Sequence, residues 1–487
     1  MEITKVFKPR YVLLVLAVIA VLVGGLSVMA AGGKWVTGDF HTHTFLTDGN
    51  NMQEEVVKNA FVSGLDWMAN SEHGGTSQKD PKGKAYPAPV WRWITIKDAS
   101  FPIIQSLRNN YPNKLLIQGL EWNVPSHEHA SVGIVGTEPG PVSDFEYMFD
   151  GSDTDTSRAA ENLAKINKVH ADAVAGAKWL ETNYPNTSYF LLNHPSRKLA
   201  YSVADIRDFI DAAPDVCFGM EGFPGHQKEK NRGGYGNDLG ANTYKARTYG
   251  GADYMLAKVG GLWDALIGEG RHFWIFVNSD YHSSDNDFWP GEYAKNYTWV
   301  TGSDYNSLID GLRSGNSFAV QGELINALDF NAAANNEQAT MGQALDIAAN
   351  SNLVITIRFK SPQYNNNGDA VKVDHIDLIS GEVGAKELPS SPEYSKDTNE
   401  TTKVIARFTA KDWKLQNGYY IIKYQIKNVG KNMYYRLRGT NLGLNVTNET
   451  DKDGNPLNDD LVGTNDRVKA YKDLWFYSNP IFVSVTK

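Results

Sequence analysis

The sequence predicts an α/β barrel that is followed by an antiparallel β-sandwich. Strand-like and helix-like runs alternate from about residue 33 to residue 330, whereas residues 335–487 contain short alternating runs that are separated by turns. Several apolar runs of the first region also end in histidine or carboxylate side chains. Because α/β barrels carry their functional residues at the C-terminal ends of the strands, we expect these side chains to form a metal site at the mouth of the barrel.

The first region has the spacing of parallel strands that are joined by crossover helices. Strand-like runs occupy residues 35–40, 65–69, 114–119, 188–192, 216–220 and 273–277. Helical periodicity predicts helices at residues 52–62, 161–181, 203–212 and 252–267. Polar or glycine-rich connections at residues 77–93, 139–158 and 225–250 each follow a strand, so they are predicted to shape a substrate pocket.

The second region reads as an antiparallel sandwich because its strand-like runs are short and alternate between apolar and polar residues. These runs occupy residues 353–359, 371–378, 403–408, 419–426 and 433–437. Only one of the eleven histidines, His375, falls in this region. We therefore predict a catalytic domain at residues 33–330 and a sandwich domain at residues 335–487.

Composition excludes several classes of protein. Charged residues make up 21% of the chain and hydrophobic residues 41%, as in an ordinary globular protein, and the net charge of −9 argues against a nucleic-acid surface. Cys217 is the only cysteine, so neither an intrachain disulfide nor a cysteine-based metal site can form.

The amino-terminal residues 1–31 resemble a secretory signal peptide. Lys5, Lys8 and Arg10 precede an uncharged apolar run that ends in small residues. An uncleaved membrane anchor is the alternative, because the run approaches the length that spans a bilayer. Either interpretation predicts a secreted, periplasmic or cell-surface protein.

Ligand-type side chains end six of the strand-like runs. The endings are Asp39-Phe40-His41-Thr42-His43, Ser71-Glu72-His73, Leu120-Glu121-Trp122, Asn193-His194-Pro195, Met220-Glu221-Gly222 and Ser279-Asp280-Tyr281-His282. On an extended strand end, residues i and i+2 point the same way, so His41 and His43 can reach one ion. Asp280 and His282 repeat this spacing after the last strand of the first region.

The remaining candidates differ in how well the sequence defines them. Glu121 is predicted to be buried between apolar neighbours, where a carboxylate needs a cation or hydrogen bonds. His129 is the preferred ligand nearby, with His127 as its alternative. Asp48 is either a ligand or part of an ordinary Asp-Gly turn, and Glu72 is expected to orient a ligand. Three further histidines are interpreted as surface or structural residues, namely His170, His226 and His272.

Imidazoles mixed with carboxylates, without thiolates, suit Zn, Mn or Fe. The predicted ligands are His41, His43, Asp48, His73, Glu121, His129, His194, Asp280 and His282. Because one ion cannot use so many ligands, we expect two or three clustered divalent ions. Such clusters produce a hydroxide near neutral pH and clamp the oxygens of an in-line displacement.

In this order, the residues resemble the polymerase and histidinol phosphatase (PHP) family of metallo-phosphoesterases. The matching motifs are His41-Thr42-His43, Thr47-Asp48-Gly49, Glu72-His73, Gly119-Leu120-Glu121, His194-Pro195 and Asp280-Tyr281-His282. Glu72 departs from the aspartate that is usual in the family. The segment 308–315 is similar to a branch of secreted PHP proteins that includes carbaryl hydrolase.

The resemblance implies a distorted (β/α)7 barrel and a trinuclear centre. It assigns His41, His43, Glu121 and Asp280 to one ion, His73 and His282 with Asp48 to a second, and Glu121, His129 and His194 to a third. A metal-bridging hydroxide would then hydrolyse a small-molecule ester.

The preferred hypothesis is a phosphoesterase in which Asp280, His194 and Arg197 carry catalytic roles, with Arg197 gripping a phosphate oxygen. The alternatives are a carboxylic or carbamic ester hydrolase with the same site, and a non-catalytic surface binding protein. In either case the C-terminal domain could contact a glycan or the cell envelope.

Overall fold

The computed structural model describes residues 32–161, 163–235, 244–459 and 467–486. The predicted signal peptide or anchor of residues 1–31 lies outside these described residues. Within the described ranges, no helix is both long enough and apolar enough to cross a membrane.

Strands dominate the structure, and most of them join one sheet of fifteen strands. In chain order the strands are β1 Lys34–Asp39, β2 Trp67–Asn70, β3 Thr76–Lys79, β4 Ala85–Trp91, β5 Leu115–Asn123, β6 His129–Ile134, β7 Ser188–Leu192, β8 Cys217–Phe223, β9 Thr248–Tyr249, β10 Ala252–Asp253, β11 Trp274–Val277, β12 Ala294–Val300, β13 Ser317–Gln321, β14 Ala327–Ala334, β15 Glu337–Thr340, β16 Ala344–Ala348, β17 Ser351–Lys360, β18 His375–Glu382, β19 Lys403–Thr409, β20 Lys414–Gln416, β21 Tyr419–Val429, β22 Met433–Thr440, β23 Trp475–Ser478 and β24 Ile481–Thr486.

Helices are concentrated in the first region. They are α1 Gln53–Val62, α2 Arg92–Thr95, α3 Phe101–Asn110, α4 Gly140–Phe149, α5 His170–Asn183, α6 Val203–Ala212, α7 Tyr254–Ala257, α8 Leu262–Ile267, α9 Tyr305–Ser314 and α10 Arg467–Ala470. A π-helical segment, Ile96–Ser100, connects α2 to α3.

The large sheet runs in the order β11-β8-β7-β6-β5-β2-β1-β12-β13-β23-β22-β18-β19. The six strands predicted for the first region are β1, β2, β5, β7, β8 and β11, and they all point the same way. Strand β6 runs against them between β5 and β7, and β12 runs against β1. The prediction of parallel strands is therefore correct for these six but misses their antiparallel neighbours.

The predicted closed (β/α)7 barrel is not found, because the sheet is open. Among the described strands, a single parallel bridge between Thr42 and Tyr281 joins the chain after β1 to the chain after β11, and no ladder continues it. Strand β1 instead pairs along its length with β12, which leads the sheet onward into the C-terminal region. The structure is thus a mixed α/β fold with a large open sheet.

Apolar side chains bury the face of the sheet below the strand ends. Phe40 lies at the centre of this core, with its ring 4.7 Å from that of Trp67, 4.9 Å from Tyr189 and 5.2 Å from Phe276. Trp67, Tyr189 and Phe276 belong to β2, β7 and β11, and Phe40 directly follows β1, so this packing joins four strands of the sheet.

The C-terminal region contains the antiparallel strands that its sequence predicts. A second sheet has the order β15-β14-β17-β21-β20, and its apolar side chains share one core with those of the large sheet. Along β17, the buried residues Leu353, Ile355, Ile357 and Phe359 alternate with more exposed ones. One pair, β16 with β24, is parallel. Strand β13 lies before the predicted domain boundary at residues 330–335, and it pairs with β23, which lies after it. The large sheet therefore includes strands from both predicted domains, and the boundary between the domains stays a prediction.

Local helix predictions were wrong where start signals were overlooked. The helix predicted at 161–181 begins at His170, where Asp172 accepts the backbone N–H of Val169 and closes the first turn. The segment 139–158, interpreted as a loop, contains α4, which starts with proline in its first turn. Residues 252–267 form two short helices, α7 and α8, rather than one.

Candidate metal centre

One edge of the sheet collects the predicted ligands. His41 and His43 follow β1, His73 follows β2, Glu121 lies near the end of β5, His194 follows β7, and Asp280 and His282 follow β11. His129 is the first residue of β6, and because β6 is antiparallel to its neighbours, its beginning lies where theirs end. All of these side chains therefore meet at one place.

The carboxylate of Glu121 lies at the centre of this cluster and is almost completely buried. It faces the ring nitrogens of five histidines. The nitrogen–oxygen distances are 3.0 Å to His41, 3.3 Å to His43, 2.9 Å to His73, 3.1 Å to His129 and 3.3 Å to His194.

Asp280 completes a first group of possible ligands with His41, His43 and Glu121. Its Oδ1 lies 3.1 Å from His41 Nε2 and 3.2 Å from His43 Nε2, and these two ring nitrogens are 3.0 Å apart. All four side chains are buried. The His-x-His pair thus points to one side, as its spacing predicts.

Asp48 forms a second group with His43, His73 and His282. Its Oδ2 lies 3.2 Å from Nε2 of both His73 and His282, and its Oδ1 lies 3.4 Å from His43 Nδ1. The Asp48 side chain is 50% exposed, so this group lies at the solvent side of the cluster. The Asp-Gly turn therefore also places a carboxylate at the site.

A third group is formed by Glu128, His129 and His194, next to Glu121. Glu128 Oε1 is 3.5 Å from His194 Nδ1 and 4.0 Å from His129 Nδ1. Lys198 pairs with the other Glu128 oxygen at 2.9 Å. The alternative ligand His127 lies elsewhere, with its ring bonded to Ala200 and His170.

The donor set fits divalent cations, and unpaired buried atoms support this fit. Among the described residues, His43 Nδ1, His194 Nδ1, Glu121 Oε2 and Glu128 Oε1 are buried without a hydrogen-bond partner. Glu121 Oε2 is only 2.9 Å from His73 Nδ1, yet the geometry makes no hydrogen bond. Ligands of a shared ion approach one another in this way. Without an ion, burying polar atoms that have no hydrogen-bond partner would destabilise the fold.

Other carboxylates hold the ligands in place. Glu221 accepts hydrogen bonds from His41 Nδ1 at 2.7 Å and from the backbone N–H of His194 at 2.7 Å, which leaves His41 Nε2 directed toward Asp280. Such partners fix the tautomer of a metal-binding histidine. Glu72 accepts the hydroxyls of Thr44 and Thr47 on the turn before Asp48.

Two residues beside the centre did not stand out in the sequence. Glu128 lies in a turn between two histidines, and its burial follows from the antiparallel direction of β6. His226, interpreted as surface or structural, lies 3.0 Å from Asp280 Oδ2 and 2.7 Å from Asp287 Oδ1. Its position three residues after β8 was the signal that could have identified it, because the other ligands also follow strand ends.

The backbone is strained at several of these positions. His194, His226 and Asp280 have φ values of 29°, 55° and 44°, in the left-handed region that non-glycine residues rarely adopt. Each such residue costs about 1–3 kcal/mol and persists only where its surroundings hold it. Gly225 packs so closely that a Cβ atom on it would lie 2.0 Å from Asp280 Cβ.

The carboxylates and imidazoles of the cluster shift one another's pKa values. Burial raises the pKa of Glu121, but the surrounding imidazoles, His41 first, hold it well below its usual range. Burial lowers the pKa of His43, but the carboxylates of Asp48, Asp280 and Glu121 raise it to about 9. His43 therefore carries a proton at neutral pH until a cation replaces it.

Arg197 lies beside the first ligand group, where its Nη2 donates to Asp280 Oδ2 at 3.1 Å. The same nitrogen donates to the carbonyl of Gly233 at 3.3 Å. Its Nε–H is buried and has no partner in the part of the chain that the structure describes. Arg197 thus brings a fixed positive charge to the edge of the cluster.

No protein-family model matches this sequence, and no curated protein matches it. Among solved structures, the chain is similar to a two-domain protein from Bacteroides vulgatus ATCC 8482, which is described as containing a predicted PHP-like metal-dependent phosphoesterase. The likeness covers 88% of this chain and 94% of that chain, with 13% sequence identity and a TM-score of 0.36. At so low a TM-score the likeness carries no argument, so function is inferred from the side chains of the cluster.

Proposed function

We propose that this chain is a metal-dependent hydrolase of the PHP type that cleaves phosphate esters. The observation that carries the proposal is the buried Glu121 carboxylate, which faces five imidazoles and keeps one oxygen without a hydrogen bond among the described residues. A purely structural cluster would pair these atoms, because an unpaired buried carboxylate oxygen is unfavourable. A set of cations would satisfy all of them at once.

The ligand groups suggest two or three ions, held by residues that the sequence singled out. His41, His43, Glu121 and Asp280 would hold one, while Asp48, His73 and His282 would hold another. His129 and His194 would hold a third, together with Glu128, which lies close enough to join them. Nitrogen and oxygen ligands without thiolates favour Zn, Mn or Fe. When bound, such a cluster lowers the pKa of water and stabilises charge on the ester oxygens.

The chain's own residues would orient the substrate. Arg197, whose Nη2 already contacts Asp280, would donate to a phosphate oxygen next to the first ligand group. Asp280 would bind the first ion through Oδ1, which faces His41, and would position Arg197 through Oδ2. His194 would bind an ion through its unpaired Nδ1, which lies 3.5 Å from Glu128 Oε1, while its Nε2 lies 3.3 Å from Glu121.

Phosphate esters are preferred over carboxylic or carbamic esters because of the position of Arg197. The segment 308–315, which suggested the alternative, forms most of α9, and its apolar residues Leu308, Ile309 and Leu312 are buried in the core. Packing explains this segment, so it carries no information about the substrate.

Location and partners extend the proposal. We propose that the chain acts outside the cytoplasmic membrane, as the sequence of residues 1–31 suggests, and that the C-terminal sheets contact a glycan or the cell envelope. The substrate would be a small molecule, and the net charge of −9 argues against nucleic acid.

A comparison of substrates tests the proposal. The purified chain, loaded with Zn or Mn, is assayed on phosphate esters and on carboxylic esters that share one leaving group. We expect phosphate-ester hydrolysis, and we expect Arg197→Gln to lower that rate by about 10²-fold, as when a single electrostatic donor is removed. Hydrolysis of carboxylic esters alone would favour the alternative enzyme. No hydrolysis by a fully metal-loaded chain would favour the binding protein.

A further inference from the structure

A second histidine cluster lies outside the centre described above. It consists of His127, His170 and Asp205, whose ligand atoms lie within 4.8 Å of one another. His127 is in the turn between β5 and β6, His170 is the first residue of α5, and Asp205 is in the first turn of α6. We propose that these three residues bind a Zn²⁺ ion with a structural role.

The hydrogen bonds of the two imidazoles carry the argument. His127 Nδ1 lies 2.7 Å from the carbonyl oxygen of Ala200, which can only accept, so this nitrogen carries the proton. His170 Nε2 lies 3.1 Å from Asp208 Oδ2, so it likewise carries a proton. In the neutral rings, His127 Nε2 and His170 Nδ1 are then both acceptors, and they face each other at 2.8 Å. Two facing lone pairs repel unless a positive charge lies between them.

The outer partners match those of metal-binding histidines. Such histidines usually donate their second ring N–H to a backbone carbonyl or a carboxylate, as His127 does to Ala200 and His170 does to Asp208. The ring of His127 is also fixed by stacking on Tyr201, with centroids 5.1 Å apart and planes 6° apart. Both imidazoles are therefore held with a free nitrogen directed to a common point.

Asp205 supplies the third ligand. Its Oδ2 accepts the backbone N–H and the hydroxyl of Ser202 at the start of α6, which leaves Oδ1 3.7 Å from His170 Nδ1. Ligands of a tetrahedral Zn²⁺ ion lie about 3.3 Å apart, between the two separations found here. The side chains of His170 and Asp205 are 31% and 24% exposed, so an ion can enter and water can take the fourth position.

The ion would link segments that the catalytic centre depends on. His127 precedes Glu128 and His129, so fixing His127 also fixes the turn that presents these two residues. Asp208 accepts the hydroxyl of Tyr394 at 2.7 Å, which connects the site to the C-terminal region. The site shares no ligand with the groups around Glu121, and the inference does not rest on the proposed function.

Zinc content and thermal stability test this site. Zinc per chain is measured after dialysis for the wild type, His170→Ala, His127→Gln and the control His272→Ala, whose ring stacks on Trp274 away from both clusters. We expect His170→Ala and His127→Gln each to hold one Zn equivalent fewer than the wild type and the control. Zinc should also raise the melting temperature less in these two variants.

The same measurements in a His41→Ala/His43→Ala background separate this inference from the proposed function. There we expect fewer zinc equivalents than in the wild type, and one equivalent fewer again when His170→Ala is added. Equal zinc in His170→Ala, His127→Gln and the wild type, in either background, would overturn the inference and leave a shared proton between the rings. An unchanged zinc content on changing His41 and His43 would instead count against the central cluster.

Discussion

Buried carboxylates have different partners in the two regions of the molecule. In the C-terminal region, Asp377 is fully buried and both of its oxygens accept hydrogen bonds, from Arg407 Nε at 2.7 Å and from Arg438 Nη2 at 2.8 Å. In the first region, Glu121 is equally buried, but it faces imidazoles and one oxygen has no hydrogen bond from any described residue. Asp377 is thus neutralised by arginines of the same chain, whereas Glu121 is placed to bind cations from solution.

The largest effect should follow from changing Glu121. Glu121→Gln keeps the shape of the side chain but removes the charge that all ligand groups around it share, so we expect the cluster to lose metal. The rate should fall at least about 10³-fold, the scale of losing an electrostatic stabiliser. Elemental analysis and kinetics check both effects, and a variant with full metal content and an unchanged rate would refute the role of Glu121.

The matched change in the other region is Asp377→Asn. Breaking a buried ion pair leaves Arg438 without its charged partner, which costs about 3–5 kcal/mol. We expect the free energy of unfolding in urea to fall by this amount while the metal content of the folded chain stays the same. If Asp377→Asn instead lost metal while keeping its stability, the contrast between the two regions would be wrong.

Stability of the metal-stripped chain should depend on pH through His43. Its pKa is raised from 6.5 to about 9, because the carboxylates of Asp48, Asp280 and Glu121 outweigh the effect of burial. A raised histidine pKa stabilises the fold below pH 6.5, and this contribution is lost as the pH rises to 9. The loss is on the order of 3 kcal/mol.

Urea unfolding of chelator-treated protein at several pH values measures this loss. In metal-loaded protein the decline should be absent, because the ion requires the unprotonated imidazole. Asp377 should not contribute to this decline, because Arg407 and Arg438 lower its pKa and it does not titrate in this pH range. A flat profile for the stripped chain would contradict the account of His43.

The smallest effect should come from Gly225→Ala. The added Cβ would lie 2.0 Å from Asp280 Cβ and 2.3 Å from the carbonyl oxygen of Ser279, so Asp280 must shift. Displacing a residue that positions ligands weakens metal affinity by about 10- to 100-fold. Gly140→Ala is the control, because a Cβ there meets no atom within 4 Å. Equal metal affinity in the two variants would show that Asp280 is not held by this contact.

Strand ends were the most predictable feature of the site. All six predicted strands of the first region form, and the ends of β1, β2, β5, β7 and β11 bring most of the predicted ligands to one edge. His129 joins them from the start of β6, and Asp48 from the turn after His43. This success has a local cause, because the alternation of side chains on an extended chain and the position of a strand end are properties of a few neighbouring residues. His41 and His43 illustrate it, since their spacing alone sets their common direction.

Pairing between distant strands was not predictable in the same way. The prediction of a closed barrel was wrong because β1 pairs with β12, which lies about 260 residues away in the sequence. The register of Lys34 with Val300 shows this pairing. The direction of β6 depends on β5 and β7, and it explains why Glu128 is buried at the site although its sequence resembles a turn. These features follow from long-range contacts that periodicity does not encode.

Anomalous diffraction from crystals grown with Zn or Mn would test the central claim most directly. The account predicts two or three anomalous peaks at the strand ends, each within bonding distance of the ligand groups and at least one bound to the Glu121 carboxylate. Crystals that show full order at Glu121 and no peak beside it, with metal present in solution, would contradict the claim that this carboxylate is arranged for cations.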